Sequence, residues 1–227
     1  MKKTFVLFFA LLRRVSGGNM NLRVRISRVL GVISMAAALT MGANVLAAEV
    51  AGVKLDDTIR LANQDLKLNG AGVRYKAIFK VYVAGLYLAD KKRTVHDVLS
   101  VPGAKRVTIV MLRDISNEEL GRGFMSGIHQ NSDRAEKSKI VLQLQKFGEI
   151  FASIPELKKG DVLTTDWIPG TGTVVHLNGK KVSDPLPDVI FYNSLLKIWL
   201  GEKPVDSRLK PLLLGEQPEE PQRGNSY

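Results

Sequence analysis

The stretch from Leu68 to Asp90, LNGAGVRYKAIFKVYVAGLYLAD, constrains the fold of this chain more than any other. Its opening, Gly70-Ala-Gly72, reads as a turn, and Arg74 follows at once. The residues after it are apolar, β-branched or aromatic: Val81, Tyr82, Val83, Leu86, Tyr87 and Leu88. That content predicts a strand buried in a core. An arginine leading into such a strand is unusual, because a buried guanidinium without a partner is costly. Two readings are open at this point. Arg74 is either a surface residue at a strand end or an anion-binding group at the mouth of an apolar cavity.

Residues 1–48 read as a leader and stand outside the fold. Met20-Asn-Leu-Arg-Val-Arg-Ile-Ser-Arg28 is basic, Val29 to Met41 is apolar, and Ala43-Asn-Val-Leu-Ala-Ala48 ends in small residues. This is the order of a secretory signal, with cleavage expected after Ala47 or Ala48. A second, weaker apolar run, Thr4 to Leu12, precedes it, so Met20 is an alternative start. The competing reading is an uncleaved anchor. Gly31, Ser34 and Gly42 interrupt the apolar run, which is short against the roughly 20 residues of a span. Cleavage and export to the periplasm, with no stable membrane span left, are the expectation.

Removing the leader changes the electrostatics. The chain carries 33 basic and 22 acidic residues, net +11, but seven of the basic residues and none of the acidic ones lie before Glu49. The remainder has 26 basic against 22 acidic residues, net +4. With no basic run interleaved with aromatics, nucleic acid is not an expected partner. There is no cysteine, so disulfides, a thiolate nucleophile and zinc–thiolate sites are excluded. The expected product is one domain over 49–215, followed by a polar, proline-bearing tail over 216–227 expected to be disordered.

Within that domain the pattern alternates between strands and helices. Val50 to Arg60 and Leu61 to Leu68 predict hairpin arms, with Asn63-Gln-Asp65 as a turn. Thr94, with Asp97 three residues on, predicts a short capped helix, and Arg106 to Leu112 a buried strand. Ser116-Asn-Glu-Glu119 is a capping-box sequence for a helix to about Gln130. Its glycines, Gly121, Gly123 and Gly127, imply close packing or room for a ligand, since each costs roughly 1 kcal/mol in a helix interior. A second helix is predicted from Asp133, with Ile140, Leu144, Phe147 and Phe151 on one face, ending before Pro155. Strands Val162 to Ile168 and Gly172 to Leu177 flank Pro169-Gly170, and Asn178-Gly179 signals a type I′ hairpin. A helix over Asp188 to Leu200, capped by Gly201, and a short one over Asp206 to Leu214 complete an α+β domain with a mostly antiparallel sheet.

No catalytic constellation stands out. His96, His129 and His176 lack metal-ligand spacing, Ser116 is explained as a cap, and Gly170-Thr-Gly172 is a turn rather than a phosphate loop. Neither a metal nor a cofactor is expected. Arg74 and Tyr82 remain. Eight residues apart, they would face one side of a continuous strand; an interruption at Lys76-Ala77 is the alternative, and it would remove that parity. A guanidinium can hold a carboxylate bidentately, and a phenol adds a third donor. The competing explanation is a structural ion pair at Arg74, with Tyr82 in the core.

Gly70-Ala-Gly-Val-Arg74 followed by Val81-Tyr-Val-Ala-Gly-Leu-Tyr-Leu88 resembles the chalcone isomerase fold family, especially its bacterial exported branch. The likeness continues through the helix at Ser116, Pro169-Gly-Thr-Gly172, Ile198-Trp-Leu-Gly201 and Asp206-Ser-Arg208-Leu209, and covers Ala51 to Leu214. It implies a chalcone isomerase-like open-faced β-sandwich: a large antiparallel sheet covered by a helical layer, with a ligand cleft between them. In the plant enzymes the arginine matching Arg74 anchors the substrate, assisted by a threonine, a tyrosine, an asparagine and a further hydroxyl residue. Here those four positions hold Tyr82, Leu120, Gly127 and Ile198. A leucine or isoleucine cannot position a water, so the departures speak against isomerase chemistry. The Arg74–Tyr82 combination is instead similar to that of the non-catalytic fatty-acid-binding members.

The resemblance therefore implies a binder of a fatty acid or similar amphiphilic carboxylate, held by Arg74 and Tyr82. An intramolecular lyase using Arg74 as its cation is the first alternative. An envelope interaction module without a small ligand is the second, and it would gain if Phe124, Met125 and Trp199 filled the cleft.

Overall fold

The computed structural model describes residues 47–154 and 156–217. Of the expected leader over 1–48, residues 1–46 lie outside the described residues, as do residues 218–227 of the expected tail over 216–227. Seven strands form one antiparallel sheet in the order β11-β10-β9-β6-β5-β4-β3. These are β3 (Thr58–Leu61), β4 (Gln64–Lys76), β5 (Phe79–Leu88), β6 (Lys105–Met111), β9 (Val162–Ile168), β10 (Gly172–Leu177) and β11 (Lys180–Lys181). Antiparallel neighbours need only short turns, and the chain supplies them. Ala62-Asn63 joins β3 to β4, and Asn178-Gly179 joins β10 to β11, both pairs in left-handed backbone. The first of these turns sits one residue earlier than the predicted Asn63-Gln-Asp65, because Gln64 already pairs with Leu61.

The sheet divides two apolar layers. Tyr82, Ala84, Leu86 and Leu88 of β5 and Val107, Ile109 and Met111 of β6 point to the helical side. The helices there are α1 (Val95–Ser100), α2 (Asn117–Asn131), α3 (Arg134–Lys139), α4 (Val141–Ser153), α5 (Val189–Leu200) and α6 (Leu209–Leu213). Two short strands, β7 (Ile115–Ser116) and β8 (Glu156–Leu157), pair beside them. On the far side, Leu66, Val83 and Tyr87 pack under Leu55 of the hairpin formed by β1 (Ala47–Val50) and β2 (Val53–Asp56). The period-two side-chain alternation of a strand is what allows β5 to feed both layers.

Three further expectations are corrected by the structure. Gly70-Ala71-Gly72 is not a turn but the middle of β4. It carries glycine because α6 lies directly on it: a Cβ at Gly70 would sit 2.0 Å from the Leu212 carbonyl oxygen, and one at Gly72 2.6 Å from Leu212 Cδ1. The actual turn falls at Ala77-Ile78, between Lys76 and Phe79. The helix predicted from Asp133 is two helices, broken at Ile140, whose ψ of 10° leaves the helical range. The break buries Ile140 while Val141 and Leu142 stay exposed. Finally, only half of the predicted capping box at Ser116 forms. The Ser116 Oγ accepts from the Glu119 N–H at 3.1 Å, but the Glu119 carboxylate is drawn away to Lys76 and Arg113.

Candidate functional site

Arg74 and Tyr82 meet, by a different route from the predicted one. They do not share a strand. Arg74 is on β4 and Tyr82 on β5, and they are direct cross-strand partners. The guanidinium carbon lies 5.3 Å from the centre of the Tyr82 ring, within range of a cation–π contact. The register slips between Arg74 and Tyr75, a bulge of the kind that re-aims a side chain. Asp206, in the segment before α6, accepts the Tyr75 N–H at 2.7 Å. The same carboxylate accepts the Arg208 N–H at 3.0 Å and its Nε at 3.1 Å, and the Arg208 guanidinium sits 4.5 Å over the Tyr75 ring. Burial works to raise the Asp206 pKa, but these donors prevail and hold it below the usual carboxylate value.

Tyr82 is fixed from the other side. The Trp199 Nε1–H of α5 donates to the Tyr82 hydroxyl at 2.8 Å. Burial pushes the phenol up to about 12, against the pull of the Arg74 charge and the Trp199 hydrogen bond. Tyr82 is therefore a neutral donor at any physiological pH. Its acceptor side is taken by Trp199, and among the described hydrogen bonds its proton has no acceptor. The Nε of Arg74 is buried without a hydrogen-bond partner, and among the described residues no carboxylate comes within ion-pair distance of Arg74. Unpaired buried donors of this kind are rare in folded proteins.

Arg74 opens onto a cleft of about 420 Å³ between β4, α2 and the segment after α5. Lys76, Arg122 and Lys203 line it, with Glu119, Gln130 and Ser126. The single carboxylate is spoken for: Lys76 Nζ lies 2.9 Å and Arg113 3.0 Å from Glu119, and these contacts hold its pKa down. The cleft is thus cationic. Gly123 and Gly127 form its helical wall, and a Cβ at Gly127 would press against Ile198 at 2.9 Å. Behind Tyr82 the space is filled with rings. Phe124 packs on Phe147, Phe151 and Trp199 at centroid distances of 5.7, 5.2 and 5.6 Å. Leu120 and Ile198, at two positions where the enzymes carry polar groups, belong to the same buried cluster. Met125 instead reaches the surface.

Sequence reasoning singled out Arg74 and Tyr82, which the structure brings together, but not the groups that arrange them, Trp199 as a donor and Asp206 as a clamp, nor the cations Lys76, Arg122 and Lys203. His96, His129 and His176 fall on α1, α2 and β10. Among the described residues no cluster of His, Asp and Glu is suited to a metal, and no helix is long and apolar enough to cross a membrane.

No curated protein matches the chain. Among solved structures, the crystal structure of a fatty-acid binding protein from Arabidopsis thaliana superposes with a TM-score of 0.60 at 16% identity, over 74% of this chain and 96% of that one. At that identity the likeness is one of fold. The family model described as chalcone isomerase-like matches residues 47–215. That match takes in every strand and helix described above, and the chain belongs to the chalcone isomerase-like family.

Proposed function

We propose that this protein is an exported, non-catalytic binder of a fatty acid or a similar amphiphilic carboxylate, with Arg74 and Tyr82 holding the carboxylate. The observation that carries this reading is the unspent donor capacity at one spot. The Arg74 Nε is buried and unpaired, and the Tyr82 ring lies beside the guanidinium, its hydroxyl oriented by Trp199 with its proton free. A carboxylate would satisfy both at once. The cationic cleft is within the usual size of small-ligand sites. The ligand's apolar part would lie along the Gly123 and Gly127 wall towards Pro204 and Val205. The fold shared with a fatty-acid binding protein supports the same direction. Isomerase chemistry is disfavoured because Leu120, Gly127 and Ile198 offer no group to move a proton.

Binding of a fluorescent fatty acid tests the reading. Arg74→Ala should weaken it by about 10- to 100-fold, the range of a charge-assisted hydrogen bond, and Tyr82→Phe by less. Unchanged affinity in both variants would remove the site. One observation favours a second reading, an interaction module without a small ligand: Phe124 and Trp199 fill the interior behind Tyr82. Absence of any co-purifying or added amphiphile on the wild-type protein would select that reading. Chalcone turnover above the spontaneous rate, abolished in Arg74→Ala, would select the lyase instead.

A further inference from the structure

The turn between β4 and β5 is built against the needs of folding. Ala77 stands in left-handed backbone with φ 54°, a conformation that favours glycine or asparagine. The other two-residue hairpin turns among the described residues each carry glycine or asparagine in that backbone, at Ala51-Gly52, Ala62-Asn63 and Asn178-Gly179. Here the next two residues are Ile78, 83% exposed, and Phe79, 60% exposed, and no other large apolar side chain at a described hairpin turn is presented in this way. Two apolar groups at a strained tip lower both stability and solubility, so the tip has a use outside the fold. Its flanks are basic. Lys76 pairs with Phe79 and Lys80 with Tyr75 across the hairpin, both lysines exposed. The nearest carboxylates are already neutralised: Glu119 by Lys76 and Arg113, and Asp206 by Arg208. Lys76 is also part of the cleft wall beside Arg74.

We infer that the Ile78-Phe79 tip docks on an anionic lipid bilayer. The two apolar side chains enter the headgroup boundary, while Lys80, exposed and outside the described ion pairs, reaches the phosphates on its flexible stem. A lysine near an anionic surface adds an attraction that salt screens. Docking in this orientation sets the mouth of the Arg74 cleft at the lipid surface. The inference concerns a surface distinct from the carboxylate site and stands whether or not that site binds a fatty acid.

The test is co-sedimentation of the protein with vesicles of phosphatidylglycerol and phosphatidylethanolamine, compared with phosphatidylcholine alone. Wild type should pellet with the anionic vesicles, less with neutral ones, and less as salt is raised. The double variant Ile78→Ser, Phe79→Ser should lose at least about tenfold in vesicle affinity. Both residues are exposed, so its circular dichroism and its affinity for a soluble carboxylate should stay at wild-type values. Phe79→Trp should show a blue-shifted emission on adding anionic vesicles. Vesicle binding retained in the double variant would overturn the inference, as would a lack of vesicle binding by wild type. A Phe79→Trp shift that follows protein concentration without vesicles would overturn it too, marking the tip as a self-association surface.

Discussion

At the scale of single residues, the site depends on groups that never touch the proposed ligand. Asp206 holds the bulged Tyr75 N–H and thereby fixes how Arg74 leaves the strand, yet the two lie 131 residues apart in the chain. Removing its charge in Asp206→Asn should cost about 1–3 kcal/mol, the range for a buried charged acceptor, and should weaken carboxylate binding without touching the guanidinium itself. The pH dependence has a definite sign. The Asp206 pKa is depressed in the fold from its ordinary 3.8, so its contribution is complete above 3.8 and is lost as pH falls through the folded value. The gap in thermal stability between wild type and variant should therefore begin to narrow as pH falls below 3.8 and close only below the depressed folded value, and a gap that persisted in strong acid would show that Asp206 acts by shape alone. None of this was visible in local pattern. Asp206-Ser-Arg208 stood out only as part of a family likeness, and Trp199 only as an apolar residue, because a hydrogen bond across 117 residues leaves no periodicity to read.

At the scale of elements, strand content was legible where side chains carried it and misread where backbone contact did. β-branched runs located β5, β6, β9 and β10 within a residue or two, and Thr94, Ser116 and Asn178-Gly179 marked real caps and a real turn. Gly70-Ala-Gly72 misled because glycine serves turns and close approaches equally, and only α6 decides between them. At Ala77-Ile78 the sequence showed only an interruption of the strand at Lys76 and Ala77, and not a turn, for the converse reason: neither Ala77 nor Ile78 is a turn former. The steric explanation for the glycines predicts an order of costs. Gly70→Ala drives a methyl into the Leu212 carbonyl, which cannot yield unless α6 shifts. Gly72→Ala meets the far end of the Leu212 side chain, which can rotate. Urea unfolding should show Gly70→Ala destabilised by roughly 2 kcal/mol or more and Gly72→Ala by clearly less. Equal costs would mean that α6 does not hold its seat on β4. The Asn69 side chain argues that it does, donating to the Leu213 carbonyl at 2.7 Å from within the core.

At the scale of the whole molecule, one sheet separates two apolar layers with different duties. The helical layer carries Tyr82, Trp199 and the wall of the cleft, whereas the layer under β1 and β2 carries no group of the candidate site. Both layers stabilise the domain, but only one should report on binding, because only its side chains hold Tyr82 and form the wall of the cleft. Leu55 and Ile198 make the comparison, since both are buried and neither contacts the Arg74 guanidinium by hydrogen bond. Leu55→Ala opens space over Gly85 on the far side, and Ile198→Ala removes the side chain against which Gly127 packs beside the cleft. Each should lower stability by about 2–5 kcal/mol. Leu55→Ala should nevertheless keep wild-type affinity for a soluble amphiphilic carboxylate at temperatures where it remains folded. Ile198→Ala should change that affinity, upward if the new space admits more of the ligand's apolar part and downward if α2 collapses into it. Equal shifts in affinity from the two substitutions would show that binding follows global stability, and the division of duties between the faces would fail.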